Sequence, residues 1–428
     1  MLEPTSTDIQ DGDAGAVRPD HYYDGGNIPV FKPTMQQFKS FPEYIKSIDS
    51  YGMKSGIVKV IPPTEWLCSL PPMDQKVRNL KIQRPIEQHI SGSGGVFYQA
   101  NIEKSRTYNL QQWRRVTDQS SNQPPARRGE LRKGAQGEPQ TRNRRKSTHV
   151  NTYEGVQDSH ESESGVKTDD QRSNKRKRPK IEIDDSFDYR FDSSEFTRNR
   201  CSELEKIYWK TITYNSPMYG ADMLGSLFDD STTIWNVSNL DNLLRELDVR
   251  LPGVNSSYLY FGMWKSTFSW HLEDMDLYSI NYIHFGAPKQ WYSISQSDEK
   301  RFYDIMKNLY PDEHKKCKEF LRHKTFLVSP SYLASRGIKV NRLVHYQQEF
   351  VITFPFGYHS GFNLGYNCAE SVNFATEKWL EYGFSANKCR CISDSVDIDV
   401  NLLAERTRRK QNAHLTAPSD HQLSEDGS

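Results

Sequence analysis

A histidine and a carboxylate two positions apart, His271 and Glu273, joined by a later histidine, His359, make a set of side chains able to hold a metal ion. Two imidazoles and one carboxylate on one face, with coordination positions left open, are the ligand set of non-haem Fe(II) in oxygen chemistry. The surroundings are aromatic and β-rich. Phe268-Ser269-Trp270 precedes the first histidine, and Val351-Ile352-Thr353-Phe354 the second. Alternate residues of a strand point to one face, so His271 and Glu273 can grip one ion from one strand while a partner strand brings His359. Alone, a His-x-Glu triplet is weak, since a histidine on a strand is as a rule a satisfied core residue; the rest of the sequence has to decide.

A second group offers thiols. Cys317 with His323, and Cys389 with Cys391, do not have the common zinc-finger spacing, but Cys-x-Cys is a tight pair and its neighbours Lys388 and Arg390 favour thiolates. Cys68, Cys201 and Cys368 have no evident metal partners and read as packing residues.

The elements that must carry these groups can be read from periodicity. Thr34 to Tyr51 predicts a helix with Thr34 as N-cap, because Phe38, Phe41, Tyr44, Ile45 and Ile48 recur at helical spacing. A strand is expected near Val96-Phe97-Tyr98. Ser238 to Leu247 reads as a capped amphipathic helix. From Ser257 to Ile294 short alternating strands follow one another, and helices are expected over Ser297–Tyr310 and most of Asp312–Leu321. Strands resume at Phe350–Phe356 and Glu370–Phe374, and a helix Glu377–Tyr382 ends at Gly383. Many short strands without strand–helix alternation predict a mixed α+β chain built on a sandwich or jelly roll with peripheral helices. From about Asp118 to Ile183 apolar residues nearly vanish, so this segment cannot bury enough surface to offset its ordering entropy and reads as a disordered insertion. It holds two basic runs, Arg142-Asn143-Arg144-Arg145-Lys146 and Lys175-Arg176-Lys177-Arg178-Pro179-Lys180, either nuclear-import signals, non-specific contacts to DNA phosphates, or simply solvated charge.

Longer stretches carry a resemblance. Tyr258-Leu259-Tyr260-Phe261-Gly262-Met263-Trp264-Lys265, His271-Leu272-Glu273-Asp274-Met275-Asp276, His284-Phe285-Gly286-Ala287-Pro288-Lys289-Gln290-Trp291-Tyr292 and Asn367-Cys368-Ala369-Glu370-Ser371-Val372-Asn373-Phe374-Ala375 resemble the JmjC domain of histone lysine demethylases. Ile28-Pro29-Val30-Phe31-Lys32-Pro33-Thr34 and Val60-Ile61-Pro62-Pro63-Thr64-Glu65-Trp66 resemble the JmjN segment of one subfamily, with its fungal members as the suggested group. The resemblance implies a double-stranded β-helix, the JmjC jelly roll, with surrounding helices, a JmjN segment and a C-terminal zinc site. It divides the chain into a disordered N-terminus 1–20, JmjN 28–68, a connecting region 69–117, the insertion 118–183, a catalytic domain 195–375, a zinc-binding segment 376–400 and a disordered tail 401–428.

The same resemblance implies roles. His271, Glu273 and His359 would hold Fe(II), with 2-oxoglutarate and O2 as cosubstrates. Lys289 and Tyr219, in Met218-Tyr219-Gly220-Ala221-Asp222, match positions that bind the far carboxylate. Asn281 matches a position that hydrogen-bonds near the iron-bound end, and Phe268 and Trp291 match pocket walls. By sequence alone Lys289, after Ala287-Pro288, reads first as a surface turn residue, and Tyr219 could simply pack. Gly253, Tyr260, Glu273, Ser371 and Asn373 match the methyl-lysine channel, and Val372 departs from relatives that have Thr or Ala there. Cys317, His323, Cys389 and Cys391 match a closed structural Zn(II) site. Implied partners are a methylated histone H3 tail, at lysine 36 first and lysine 9 second, and the nucleosome. The implied place is the nucleus. The alternative is a catalytically silent JmjC chromatin-binding regulator, against which all metal and cosubstrate positions are intact.

Composition fits. The 428 residues have room for one large domain or two ordinary ones, and the net charge of +1 averages an uneven distribution. No run of about 18 apolar residues exists, so no membrane span is expected. The N-terminus is polar and acidic, unlike a signal peptide. Six cysteines in so long a chain do not suggest a secreted disulfide framework.

Overall fold

In the computed structural model the described residues are 17–127, 183–391 and 396–416. The chain divides into two compact units, Met1–Pro125 with Asp185–Ser428, and Ala126–Asp184. Nearly all of the second, including both basic runs of the insertion, lies outside the described residues, as do residues 1–16.

In the first unit, strands from Tyr258 onward alternate between two sheets. Val340–His345, Lys289–Ile294, His359–Asn363 and Thr267–His271 lie side by side in that order as an antiparallel four-stranded sheet. Phe350–Thr353, Tyr278–Gly286, Asn367–Phe374 and Tyr258–Gly262 lie in order in the larger sheet. This alternation is the jelly roll expected from the sequence. The larger sheet has eleven strands. Beyond Phe350–Thr353 it continues with Ile57–Val60, Pro29–Phe31 and His21–Tyr22. Beyond Tyr258–Gly262 it continues with Met218–Leu224, Ile86–Ser93, Val96–Glu103 and Phe326–Val328.

The N-terminal strands are held by their helices. The predicted helix from Thr34 is two: Met35–Phe38, closed by a capping box between Thr34 and Gln37, and Phe41–Ser55, capped by Ser40. Phe38 stacks on Trp235 at 4.2 Å between ring centroids, and Trp235 Nε1 donates to the Phe38 carbonyl at 2.9 Å. Ile57–Val60 pairs with Phe350–Thr353, and the buried Lys59 ammonium crosses to the Glu349 carboxylate at 2.6 Å.

Four expectations change. Ser238–Leu247 is two short 3-10 turns, Val237–Asn239 and Leu243–Glu246, because Asn236 and Asn242 turn their side chains onto the backbone N–H groups of Ser238 and Leu244. The segment expected as a disordered tail holds a helix, Val400–Thr416. Leu403 and Ala404 on it are buried, Arg406 donates to the Glu246 carbonyl at 2.7 Å, and Lys410 pairs with Glu246 at 2.7 Å. Ordered chain also reaches past Asp118 to Arg127, tied by Asn122, whose side chain donates to the Val116 carbonyl at 2.9 Å. The helix expected over Asp312–Leu321 is Pro311–Lys316 followed by a 3-10 turn, Phe320–His323.

Candidate metal centre and adjoining pocket

His271 and His359 face each other across adjacent strands of the small sheet, in register, with ring centroids 4.3 Å apart. The strand ends at His271, and Glu273 follows with extended backbone (φ −66°, ψ 151°), so its side chain returns to the face of His271. One ligand atom from each of the three residues lies within 4.8 Å of the others.

Their hydrogen bonds fix the tautomers. His271 Nδ1 is 2.7 Å from the Ser269 carbonyl and His359 Nδ1 is 3.0 Å from the Gly357 carbonyl. A carbonyl only accepts, so each Nδ1 carries the hydrogen and each Nε2 presents a lone pair. His359 Nε2 then stands 3.4 Å from Glu273 Oε1. Two acceptors facing each other at that distance call for a cation between them. Burial, then the neighbouring His359 ring, holds the His271 imidazole well below its usual range. Burial would raise Glu273, but the contact with His359 and the surrounding His271, His359 and Lys324 groups carry it well below the usual carboxylate range. The donor set fits a divalent transition metal.

The turn after Glu273 is strained. Met275 and Asp276 both have positive φ, 56° and 51°. Two groups restrain it: Trp379 Nε1 donates to the Met275 carbonyl at 3.0 Å, and Arg322 pairs with Asp276 at 2.8 Å. The Arg322 guanidinium also donates to the Glu273 carbonyl and binds Glu319 at 2.9 Å. Arg322 was not among the expected site residues. It sits beside His323, and nothing in the local sequence shows that its partners lie in another segment.

Beside the metal set a buried lysine meets an aromatic lining. Lys289 is 2% exposed, which removes the surface-turn reading. Its Nζ lies 5.6 Å from the Tyr260 ring and 5.9 Å from the Phe268 ring, and among the described residues no carboxylate forms an ion pair with it. Burial drives its ammonium down to about 7. Tyr219 is buried, with its ring 6.0 Å from Tyr260. Phe268 meets Trp291 edge-on at 4.8 Å. Asn281 Oδ1 and Trp291 Nε1 are buried without a hydrogen-bond partner among the described residues. An unpaired buried cation beside orphaned polar atoms fits an anion with its own acceptors and donors.

On the other flank Tyr260 donates to Asp222 at 2.9 Å. Ser371 is half-buried and lies opposite Asn281 in the large sheet. Asn373 donates through Nδ2 to the Tyr278 carbonyl at 3.1 Å, and its backbone N–H reaches the Gly253 carbonyl at 3.3 Å. Gly253 has φ +76°, and an added Cβ would come within 2.4 Å of the Tyr258 ring, so only glycine suits the turn.

Cys317, His323, Cys389 and Cys391 gather with one ligand atom each inside 4.8 Å. Cys317 Sγ is 3.8 Å from Cys389 Sγ, and His323 Nε2 is 3.2 Å from the same sulfur. Burial, and then the neighbouring thiols of Cys391 and Cys389, push the Cys317 thiol up to about 12. Crowded sulfurs with one imidazole fit a closed Zn(II) site. Cys201 and Cys368 are buried, as expected of packing residues, whereas Cys68 is exposed.

Two family profiles match the chain: "JmjC domain, hydroxylase" over residues 258–374 and "jmjN domain" over residues 29–62. The JmjC hydroxylase match implies dependence on Fe(II) and 2-oxoglutarate, and both metal clusters are compatible with metal binding. The chain is 36% identical over 405 residues to lysine-specific demethylase 4D of Rattus norvegicus, covering 92% of this chain and 65% of that protein. It is 37% identical over 380 residues to lysine-specific demethylase 4B of Mus musculus, covering 88% of this chain and 28% of that protein. It is 36% identical over 385 residues to probable lysine-specific demethylase 4F of Homo sapiens, covering 88% and 49%. The chain thus spans less than two thirds of the length of each of these relatives. With a jelly roll that carries a paired His/Glu/His set and an N-terminal segment built into its larger sheet, the chain carries JmjN and JmjC domains and is similar over most of its length to lysine-specific demethylases.

Proposed function

We propose that the chain is an Fe(II)- and 2-oxoglutarate-dependent demethylase of methylated lysine on histone H3, lysine 36 first and lysine 9 second, acting on chromatin in the nucleus. The observation that carries the reading is the His271/Glu273/His359 set within 4.8 Å beside a buried Lys289 that has no carboxylate partner among the described residues. Fe(II) held by those three ligands would supply activation of O2 for hydroxylation of an N-methyl carbon, the product of which collapses to formaldehyde and a lysine with one methyl fewer.

The chain's own groups do the rest. Lys289 and Tyr219 bind the far carboxylate of 2-oxoglutarate, Asn281 orients its near end, and Phe268 and Trp291 keep water out. Tyr260, Gly253, Glu273, Ser371 and Asn373 line the channel for the methylated ammonium. Such a cation has lost N–H donors and is held by ring faces and weak CH···O contacts. Val372 leaves the di- and trimethyl states as substrates to be compared. Cys317, His323, Cys389 and Cys391 hold a structural Zn(II). The basic runs at 142–146 and 175–180 serve nuclear entry or non-specific DNA contact on the nucleosome. We propose also the division into JmjN 28–68, connecting region 69–117, catalytic domain 195–375 and zinc segment 376–400.

The test is mass spectrometry of histone H3 peptides methylated at lysine 36 or lysine 9, incubated with Fe(II), ascorbate and 2-oxoglutarate. Loss of methyl mass by the wild type, and none by a folded His271→Ala variant, is the expected result. A metal-loaded wild type without turnover on any peptide would favour the silent regulator.

A further inference from the structure

One wall of the pocket is an imidazole that no motif singled out. In the small sheet His345 stands directly opposite Lys289, and Trp291 stands opposite Leu343, two residues away. Opposed and diagonal residues of an antiparallel pair share a face, so His345 lies on the same side as Lys289 and Trp291. It has 0% exposure, and its ring centroid is 6.2 Å from that of Trp291.

Its tautomer follows from its neighbour. Nε2 lies 2.7 Å from the Glu349 carbonyl, so Nε2 carries the hydrogen. Nδ1 of the neutral ring is therefore a bare acceptor, and it has no hydrogen-bond partner among the described residues. The charged groups around it are cations. Lys289 comes from the facing strand. Lys59 comes from the N-terminal strand, and its charge is already matched to the Glu349 carboxylate at 2.6 Å. That carboxylate also accepts from the Tyr346 N–H at 2.9 Å. Burial, followed by the charges of Lys289 and Lys59, holds the imidazole well below its usual range. The Cys368 thiol near Lys289 is itself raised well above its usual range by burial, so it brings no negative charge. An empty pocket thus keeps His345 neutral, and an entering dianion reverses the balance.

We propose that His345 is a positioning residue for the far carboxylate of the cosubstrate: as the anion settles beside Lys289, Nδ1 takes one proton from solvent and donates a hydrogen bond to it. The inference rests on the cosubstrate reading given above. One proton passes from buffer to Nδ1 on binding and returns when the anion leaves; no covalent bond changes.

The experiment is calorimetric titration of 2-oxoglutarate into the full chain loaded with Mn(II), between about pH 6 and pH 7, in buffers of different ionisation enthalpy. Mn(II) keeps the metal-binding imidazoles deprotonated. Lys289, whose burial sets it at about 7, goes from mostly charged to half charged as pH rises through that window, and its own proton uptake is common to both proteins. Uptake of one proton at His345 makes affinity rise by up to about tenfold for each unit that pH falls. His345→Gln should keep only the shallower slope that Lys289 contributes and take up correspondingly fewer protons. Equal slopes and equal proton uptake in the two proteins overturn the proposal alone. A wild type that binds Mn(II) but no 2-oxoglutarate at any pH overturns both the proposal and the reading beneath it. Should His345→Gln fail to fold, ring-15N spectra of the wild type decide. Nδ1 must move from the unprotonated to the protonated region when 2-oxoglutarate is added, and an unmoved signal refutes the proposal.

Discussion

Among the described residues no carboxylate balances the buried cation Lys289, and two consequences with opposite signs follow. In the folded chain its ammonium is depressed to about 7, while in the unfolded chain it titrates near 10.4, about the reference value. Between those values the unfolded state binds more protons, so this group's contribution to stability rises with pH across that window and is lowest near and below pH 7. Lys289→Met should therefore be more stable than the wild type at neutral pH, with the difference shrinking toward pH 9. Urea denaturation at both pH values checks this. The same variant should lose 2-oxoglutarate binding while keeping Mn(II), since the anion's partner has gone and the metal ligands have not. A Lys289→Met protein less stable at pH 7 than the wild type would mean that the cation has a partner in the empty pocket. At this scale the gathering of His271, Glu273 and His359 was legible from the resemblance of the stretches around them rather than from the His-x-Glu spacing, which alone is weak. Arg322 and His345 were not, because their roles depend on groups reached only through sheet register and a turn. Arg322→Lys keeps charge but loses the fork that spans the Glu273 carbonyl, Asp276 and Glu319. It should weaken metal affinity by about 10–100-fold, the size typical of changes to groups that hold ligands in place. Competition with a chelator measures that loss.

Elements explain how the groups are held. The 3-10 turn Phe320–His323 carries His323 toward the sulfurs and, one residue earlier, Arg322 toward the Glu273 turn. A metal at the cysteine cluster would therefore stiffen the turn that restrains Glu273, the proposed iron ligand. Metal bound only by the folded state adds its binding free energy to folding. Cys389→Ser with Cys391→Ser should remove one zinc per chain, lower the midpoint of thermal unfolding and loosen Mn(II) binding. Elemental analysis and calorimetry report the first two effects. A folded, active wild type without zinc would refute the site. Strands and capped helices were readable here because alternation and capping residues are local signals. The pair of 3-10 turns at 237–246 was misread because Asn236 and Asn242 offer the backbone side-chain bonds that compete with a helix. The helix Val400–Thr416 escaped for a different reason. Its sequence is mostly polar, and the burial of Leu403 and the anchoring of Arg406 on Glu246 come from the packed body rather than from propensity.

At the scale of the whole molecule, the N-terminal segment and the jelly roll share one continuous sheet, while residues 128–182, which carry the densest basic runs, lie between two anchored flanks. On one side Arg200 donates to the Pro125 carbonyl, and on the other Asp185 pairs with Arg78 at 2.6 Å. The flanks also meet directly: the Arg114 guanidinium lies 5.1 Å from the Phe191 ring. Closing a flexible loop costs free energy that grows only slowly with its length, so replacing residues 128–182 by a short Gly/Ser linker should disturb the fold little. Peptide demethylation by that deletion should match the wild type, and nuclear accumulation should fall. If the basic runs also grip phosphates, turnover on nucleosomes falls while turnover on peptides stays, and the gap narrows as salt is raised. Equal nucleosome turnover at low salt would leave import as their function. Loss of peptide turnover in a folded deletion would instead make the insertion a working part of the catalytic domain, against its near-absence of apolar residues.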